Sequence, residues 1–336
     1  MDFLRLFNWY HENKRNLPWR KTINPYYIWV SEIMLQQTQV DTVLKYYEDF
    51  LIKFPTIESL NEASIDDILH SVQGIGYYKR FQALKKGAKY IVDNFNGVFP
   101  DDYEDIIKIP GIGLYTAGAI SSIAFNKAHA ATDGNVIRVL SRFYGLDDDF
   151  RLDKNKKKLN QKNQSLIEKS NDPYTYTQSL MELGATVCKP KKPDCLNCPL
   201  NEFCYANLNS EQEKYPFLSP LNKKKEIIIF SFVVHFDDCI IMKKRKDKLL
   251  ENMYQFIEIE GESLESAINE LSAQGIDILH TEYKGYVKHV FTHLIWHIHV
   301  YEGYVKEVPK DYELVLDINQ KPLSTVHKKI YHKVKK

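Results

Sequence analysis

Four of the chain's five cysteines, Cys188, Cys195, Cys198 and Cys204, fall in one short stretch with the spacing C-x6-C-x2-C-x5-C. Scattered thiols have no reason to gather. The intervening residues are rich in Pro, Lys and Asn, so the stretch cannot be core. Nothing marks the chain as secreted, which disfavours disulfides. Four thiolates without a histidine suit a [4Fe–4S] cluster or a structural zinc. Zinc sites usually carry two short C-x2-C pairs, and only one is present, so the spacing favours iron–sulfur. Cys239 stands apart and reads as an ordinary buried thiol.

Two carboxylates stand in contexts that could shift their proton affinities apart. Glu32 lies inside Tyr27-Ile28-Trp29-Val30-Ser31-Glu32-Ile33-Met34-Leu35. On a helix it stacks with Ile28, Trp29 and Leu35. A carboxyl there is costly as an anion, and burial raises its pKa towards general-acid work. Asp133, in Ala131-Thr132-Asp133-Gly134-Asn135, precedes a helical pattern and reads as an N-cap that stays ionised. One protonated and one ionised carboxyl form the usual pair for opening a glycosidic bond.

Two glycine turns could hold a nucleic acid. Ile109-Pro110-Gly111-Ile112-Gly113-Leu114-Tyr115 ends one helix and opens another, presenting backbone N–H groups and a helix dipole to a phosphate. Gly74-Ile75-Gly76 is followed by Tyr77-Tyr78-Lys79-Arg80, aromatic rings beside cations that could wedge into a base stack. Bulk charge lends no help. Net charge is +1, and residues 1–220 hold 27 basic against 27 acidic residues. Any polyanion site must be a local patch or use backbone donors.

These residues need elements to position them. Residues 1–205 read as helices over Ile28–Val40, Asp41–Phe54, Ile65–Ser71, Lys79–Asn94, Tyr103–Lys108, Tyr115–Ala124, Val136–Phe143, Lys158–Ser170 and Tyr176–Val187. A polar linker follows. Strands are expected at Glu226–His235 and Cys239–Lys244, joined as a hairpin at Asp237-Asp238, then at Tyr254–Ile259 and Tyr286–Tyr301, with a helix at Leu264–Ala273. No apolar run approaches the ~20 residues that span a membrane. The N-terminus does not read as a signal peptide, so a cytoplasmic protein is expected.

Taken in order, Asn-Leu-Pro-Trp-Arg (16–20), Trp29 to Val40, Gly-Ile-Gly-Tyr-Tyr, Ile-Pro-Gly-Ile-Gly, Thr-Asp-Gly-Asn-Val and the cysteine spacing resemble the adenine DNA glycosylases of the MutY type, in the helix-hairpin-helix superfamily that includes endonuclease III. The resemblance is dense from residue 3 to about 205 and weaker beyond. It implies an all-α, two-lobed glycosylase region over 1–210: a six-helix barrel at 20–131, and a [4Fe–4S] cluster lobe from 1–19 with 132–210. A linker at 211–225 and an α+β Nudix-like lesion-recognition domain at 226–336 would follow. The implied partner is double-stranded DNA with adenine opposite 8-oxoguanine or guanine, bound by a monomer, with the adenine flipped out.

The resemblance also assigns roles. Glu32 would protonate the departing adenine, Asp133 would stabilise the sugar cation, and Asn135 would orient both. Tyr115 stands where the lyase members carry lysine, which implies monofunctional hydrolysis. Trp19, Arg20, Leu35 and Gln178 would line the adenine pocket. Gln37, Ile75 and Tyr77 would fill or wedge the duplex. Gly111 and Gly113 would hold phosphate, as would Lys189, Lys191 and Lys192 in the cysteine loop. Phe291-Thr292-His293 would read the lesion, with threonine where the family usually has serine. The stretch from Gly261 to Leu271 lacks the acidic metal pattern of true Nudix hydrolases, so no pyrophosphatase activity is expected. His289, His293, His297 and His299 read as a polar strand face. The rival expectations are a related glycosylase for another base, and a non-catalytic iron–sulfur DNA-binding protein.

Overall fold

The computed structural model describes residues 1–220 and 223–335; residues 221 and 222 of the expected linker, and 336, lie outside it. The chain forms two units, Met1–Asn61 with Ala83–Pro220, and 62–82 with 221–336.

The first unit is helical. Two of its helices, Pro25–Leu35 and Leu114–Phe125, are apolar on nearly every side and pack on each other. Pro25 occupies the first turn of its helix, behind an Asn24 cap that accepts from the Tyr26 and Tyr27 N–H groups. That helix stops at Leu35, not at Val40 as the pattern implied, because Gln36-Gln37-Thr38-Gln39 has nothing to bury and Gln37 turns to a φ of 56°. The stretch expected as one helix over 41–54 is two, Val40–Val43 and Tyr47–Lys53. Helices Phe3–Asn13, Gly134–Tyr144, Asp153–Ser170 and Pro173–Thr186 enclose a core of Leu6, Val139, Leu140, Leu159, Tyr176 and Leu183. Cys188, Cys198 and Cys204 pack partly buried against that core.

The second unit is a sheet with a helix on each face. Its strands are β1 Lys225–Phe236, β2 Cys239–Lys244, β3 Tyr254–Gln255, β4 Ile257–Glu260, β5 Leu279–Val290, β6 Leu294–Tyr304 and β7 Glu313–Val315. The order is β3-β2-β1-β6-β5, with β4 also on β1 and β7 on β2. β1 and β6 run parallel; β5 and β6 are antiparallel. Alternation along β1 sends Phe230, Phe232 and Val234 under helix Leu264–Ala273, and Ile229 and Val233 under helix Thr325–Val334. The single strand expected over 286–301 is the β5/β6 hairpin, with Phe291-Thr292-His293 as its turn. Its apolar alternation runs through the turn, so hydrophobic period alone could not mark the break. The helix at 325–334 was not foreseen.

Segment 62–82 belongs to this unit through its own contacts. Lys244 pairs with Asp66 at 2.6 Å, His70 Nε2 meets the Asn319 carbonyl at 2.9 Å, and Gln82 donates to the Glu251 carbonyl at 2.7 Å. Among the described residues no helix is long and apolar enough to cross a membrane.

Candidate active site

The helix that carries Glu32 buries eight of its eleven residues, leaving this side chain 5% exposed. Helix Leu114–Phe125 brings Tyr115 alongside, and the Tyr115 hydroxyl donates to Glu32 Oε2. Loss of water pushes the Glu32 pKa up to about 7; the Tyr115 hydrogen bond and the Arg20 charge oppose the rise, while the Asp133 charge adds to it. Tyr115 is itself pushed well above its ordinary value by burial and by the two carboxyls, so it remains a donor.

Asp133 is the N-cap of helix Gly134–Tyr144, as its position suggested. Its Oδ1 accepts from the Val136 N–H at 2.7 Å and its Oδ2 from the Asn135 amide at 2.8 Å. Burial nevertheless raises its pKa, and the Val136 N–H, the Asn135 amide and the Arg138 charge work against that rise. The cap position alone therefore does not hold Asp133 at the low end of the carboxylate range, as the sequence led us to expect.

Glu32, Tyr115, Asp133 and Asn135 face one cavity of about 1090 Å³, shared with Trp19, Arg20, Leu35, Gln37, Gly113 and Gln178. Residues from five separate segments thus meet at one hollow. Trp19 is fixed edge-on against Tyr47, ring centroids 5.3 Å apart. Arg20 Nε is buried without an acceptor among the described residues.

Two wall residues were missed. Glu182, wholly buried, accepts from Arg15 Nε at 2.9 Å, Arg15 Nη2 at 2.8 Å and Arg20 Nη2 at 2.7 Å. Although burial pushes its pKa up, the two arginines win and hold Glu182 at about 2. The available signal was helical spacing, since Glu182 stands four residues after Gln178 on one face. Arg15 carried no such sign.

The remaining predicted residues lie elsewhere. Gly111, at φ +87°, makes the turn before Gly113, which caps helix Leu114–Phe125 without any side-chain hydrogen bond. Lys189, Lys191 and Lys192 are exposed on the loop after Cys188. Ile75 and Tyr77 belong to the second unit, where Tyr77 has a φ of 50° and its hydroxyl lies 3.4 Å from Thr292 Oγ1. Phe291 is pinned edge-on to Trp296. His293 lies in that same turn. The strand histidines have separate partners: His297 meets Tyr286 and Glu226, His299 stacks on Phe230, and His289 packs on Phe291.

Burial raises the thiol pKa of Cys195, Cys198 and Cys204, that of Cys198 to about 12, and the neighbouring sulfurs add to the rise. N–H groups of Leu200, Asn207 and Ala206 and the Gln212 side chain point at the sulfurs of these three and favour their thiolates, while Arg142 Nη1 donates to Cys188 Sγ at 3.4 Å. Among the described residues no three His, Cys, Asp or Glu side chains, the four clustered cysteines included, are grouped so as to hold a metal ion. Arg138 links this loop to the cavity, donating to the Cys188 carbonyl at 2.7 Å and to Asn135 Oδ1 at 2.8 Å.

Residues 30–169 match the model of the HhH-GPD superfamily base excision DNA repair proteins, and residues 230–333 match the NUDIX domain. The adenine DNA glycosylase of Buchnera aphidicola subsp. Acyrthosiphon pisum is 35% identical over 299 residues, 87% of this chain and 83% of that protein. The human adenine DNA glycosylase is 41% identical over 218 residues, 62% of this chain and 40% of that protein. Among solved structures, a thermostable thymine-DNA glycosylase aligns with a TM-score of 0.53 at 27% identity, covering 62% of this chain and 95% of that one.

Proposed function

The chain belongs to the adenine DNA glycosylases of base excision repair, and from that premise we propose how its own residues act. The substrate is an adenine opposite 8-oxoguanine or guanine in duplex DNA, rotated out of the stack into the cavity of the first unit. A monomer removes the base by hydrolysis and leaves an abasic site.

Glu32, with a pKa of about 7, holds a proton near neutrality and gives it to the leaving adenine. Tyr115 steers that carboxyl and, being a phenol, forms no Schiff base. Asp133 offers its anion to the sugar as positive charge develops, while Asn135 fixes its orientation. The unpartnered Arg20 Nε, Trp19, Leu35 and Gln178 supply the donor and walls that a purine would use. The observation that carries this reading is the buried Glu32, raised towards neutrality and facing Asp133 across one cavity.

Cys188, Cys195, Cys198 and Cys204 would hold a [4Fe–4S] cluster. The single short C-x2-C pair in their C-x6-C-x2-C-x5-C spacing favours the cluster over a structural zinc. The N–H groups aimed at the sulfurs suit cluster thiolates. When bound, the cluster supplies charge and rigidity to the loop that carries Lys189, Lys191 and Lys192. Residues 226–336, through Phe291-Thr292-His293, read the base opposite the adenine.

The reading is tested on matched duplexes holding adenine opposite 8-oxoguanine, adenine opposite guanine, thymine glycol, or a G:T mispair. Release of adenine, fastest opposite 8-oxoguanine, is expected. Preference for the oxidised pyrimidine or for thymine would overturn the substrate assignment.

A further inference from the structure

Acidic and basic residues balance over the chain as a whole, yet Thr325 to Lys336 carries five lysines and no Asp or Glu. Helix Thr325–Val334 turns Val326 and Ile330 into the core. Thr325, Lys328, Lys329, His332 and Lys333 recur at steps of three and four, so they share another stripe of that helix. Together they form one wall of a groove of about 540 Å³. The opposite wall is the edge strand β5 at Tyr286, Val287 and Lys288, with Val287 turned towards the helix and Lys288 alternating to the other face of the strand. The stem of Lys333 passes over Gly285 of that strand.

No carboxylate lines this groove. Among the described residues Lys288, Lys328, Lys329 and Lys333 have no ion-pair partner, whereas Lys244, Lys284 and Lys321 of the same unit are each held by a carboxylate. Lysine on an exposed sheet edge can serve to block strand pairing. That accounts for Lys288, but not for a row of cations on the neighbouring helix. Desolvation also draws Lys328 below its ordinary pKa, a cost that an apposed anion would relieve.

We propose that this groove binds the phosphodiester backbone of duplex DNA beside the turn Phe291-Thr292-His293. The proposal rests on the reading of the chain as a DNA glycosylase. β5 ends at Val290, so the strand that forms the groove also delivers the turn. From Thr325 to Lys333 the helix advances about 12 Å at ~1.5 Å per residue. One strand of a duplex carries a phosphate every ~3.4 Å of its axis. The stripe therefore matches about three phosphates, which fixes the register of the duplex without reading its sequence.

The test measures affinity of the full chain for a duplex bearing an abasic-site analogue opposite 8-oxoguanine, across a salt series. The triple variant Lys328→Gln, Lys329→Gln, Lys333→Gln is compared with the corresponding triple Lys→Arg variant and with Lys288→Gln alone. Each neutralised phosphate contact removes ~0.9 from the slope of log affinity against log salt. The Gln triple should lower that slope by about 2 to 3 and weaken binding by about tenfold or more at ~0.1 M salt. The Arg triple should retain both values, and Lys288→Gln, on the other face of β5, should leave the slope nearly unchanged. Adenine release at saturating enzyme should be unchanged in all three. An unaltered slope in the Gln triple overturns the proposal, as does equal loss in the Arg and Gln triples. Self-association with an unaltered slope would show that the lysines only guard the edge. Should the wild-type protein excise no base at all, it is the glycosylase reading that fails.

Discussion

The tyrosine hydroxyl against Glu32 does two things at once. It holds the carboxyl in place, and it favours the anion, so it works against the burial that raises the pKa to about 7. Tyr115→Phe removes that opposition and leaves desolvation in charge. The folded-state pKa of Glu32 then rises above about 7, and more of the protein carries the proton at any pH above neutrality. Single-turnover adenine release by Tyr115→Phe should lose activity at a higher pH on its alkaline side than wild type does. A limb that stays put or moves down would show that the hydroxyl does not tune this carboxyl. The two carboxyls were legible in the sequence because each breaks its local pattern, one as an acid inside an apolar run and the other as a cap before a helix. Glu182 and Arg15 break no pattern. They find each other from 167 positions apart, a separation no local signal spans.

At the scale of the element, helix Leu114–Phe125 presents its first turn with no side-chain cap. Gly113 sits there at φ −101°, ψ −179°, extended backbone that any residue adopts, and a Cβ added to it meets nothing within 4 Å. The position is thus open to a side chain that would cap the helix, and a free first turn is what a phosphate would need. Gly113→Asp separates the two roles. It should leave the melting temperature unchanged or slightly raised, because Asp caps better than Gly by a few tenths of a kcal/mol. It should weaken duplex binding by about tenfold or more through repulsion, an effect that salt diminishes. Unchanged affinity would remove this turn from the DNA interface. Helix type and order were readable from apolar spacing. Helix ends were not, because Gln36 to Gln39 carries neither Pro nor Gly and stops the helix only by lacking anything to bury.

At the scale of the molecule, the sequence separates helices from strands near residue 220, and the sheet begins at Lys225. What local pattern could not reveal is that 62–82, far upstream, joins the second unit. Its ties are Asp66 to Lys244 and single hydrogen bonds to the backbone carbonyls of Glu251, Asn319 and Lys321, none of which has a sequence signature. The helix at 325–334 was hidden for a related reason. The five lysines from Thr325 to Lys336 look like a solvated tail until Val326 and Ile330 are seen to close the core.

The account depends most on a buried, protonated Glu32 that drives departure of the base, and single-turnover release of adenine from a duplex with adenine opposite 8-oxoguanine tests it directly. The wild-type rate should fall as pH rises through about 7, as Glu32 loses its proton. Glu32→Gln should lower the rate by about 10²- to 10⁴-fold and leave duplex affinity essentially unchanged. A Glu32→Gln protein that releases adenine at close to the wild-type rate, with the same pH dependence, would contradict it.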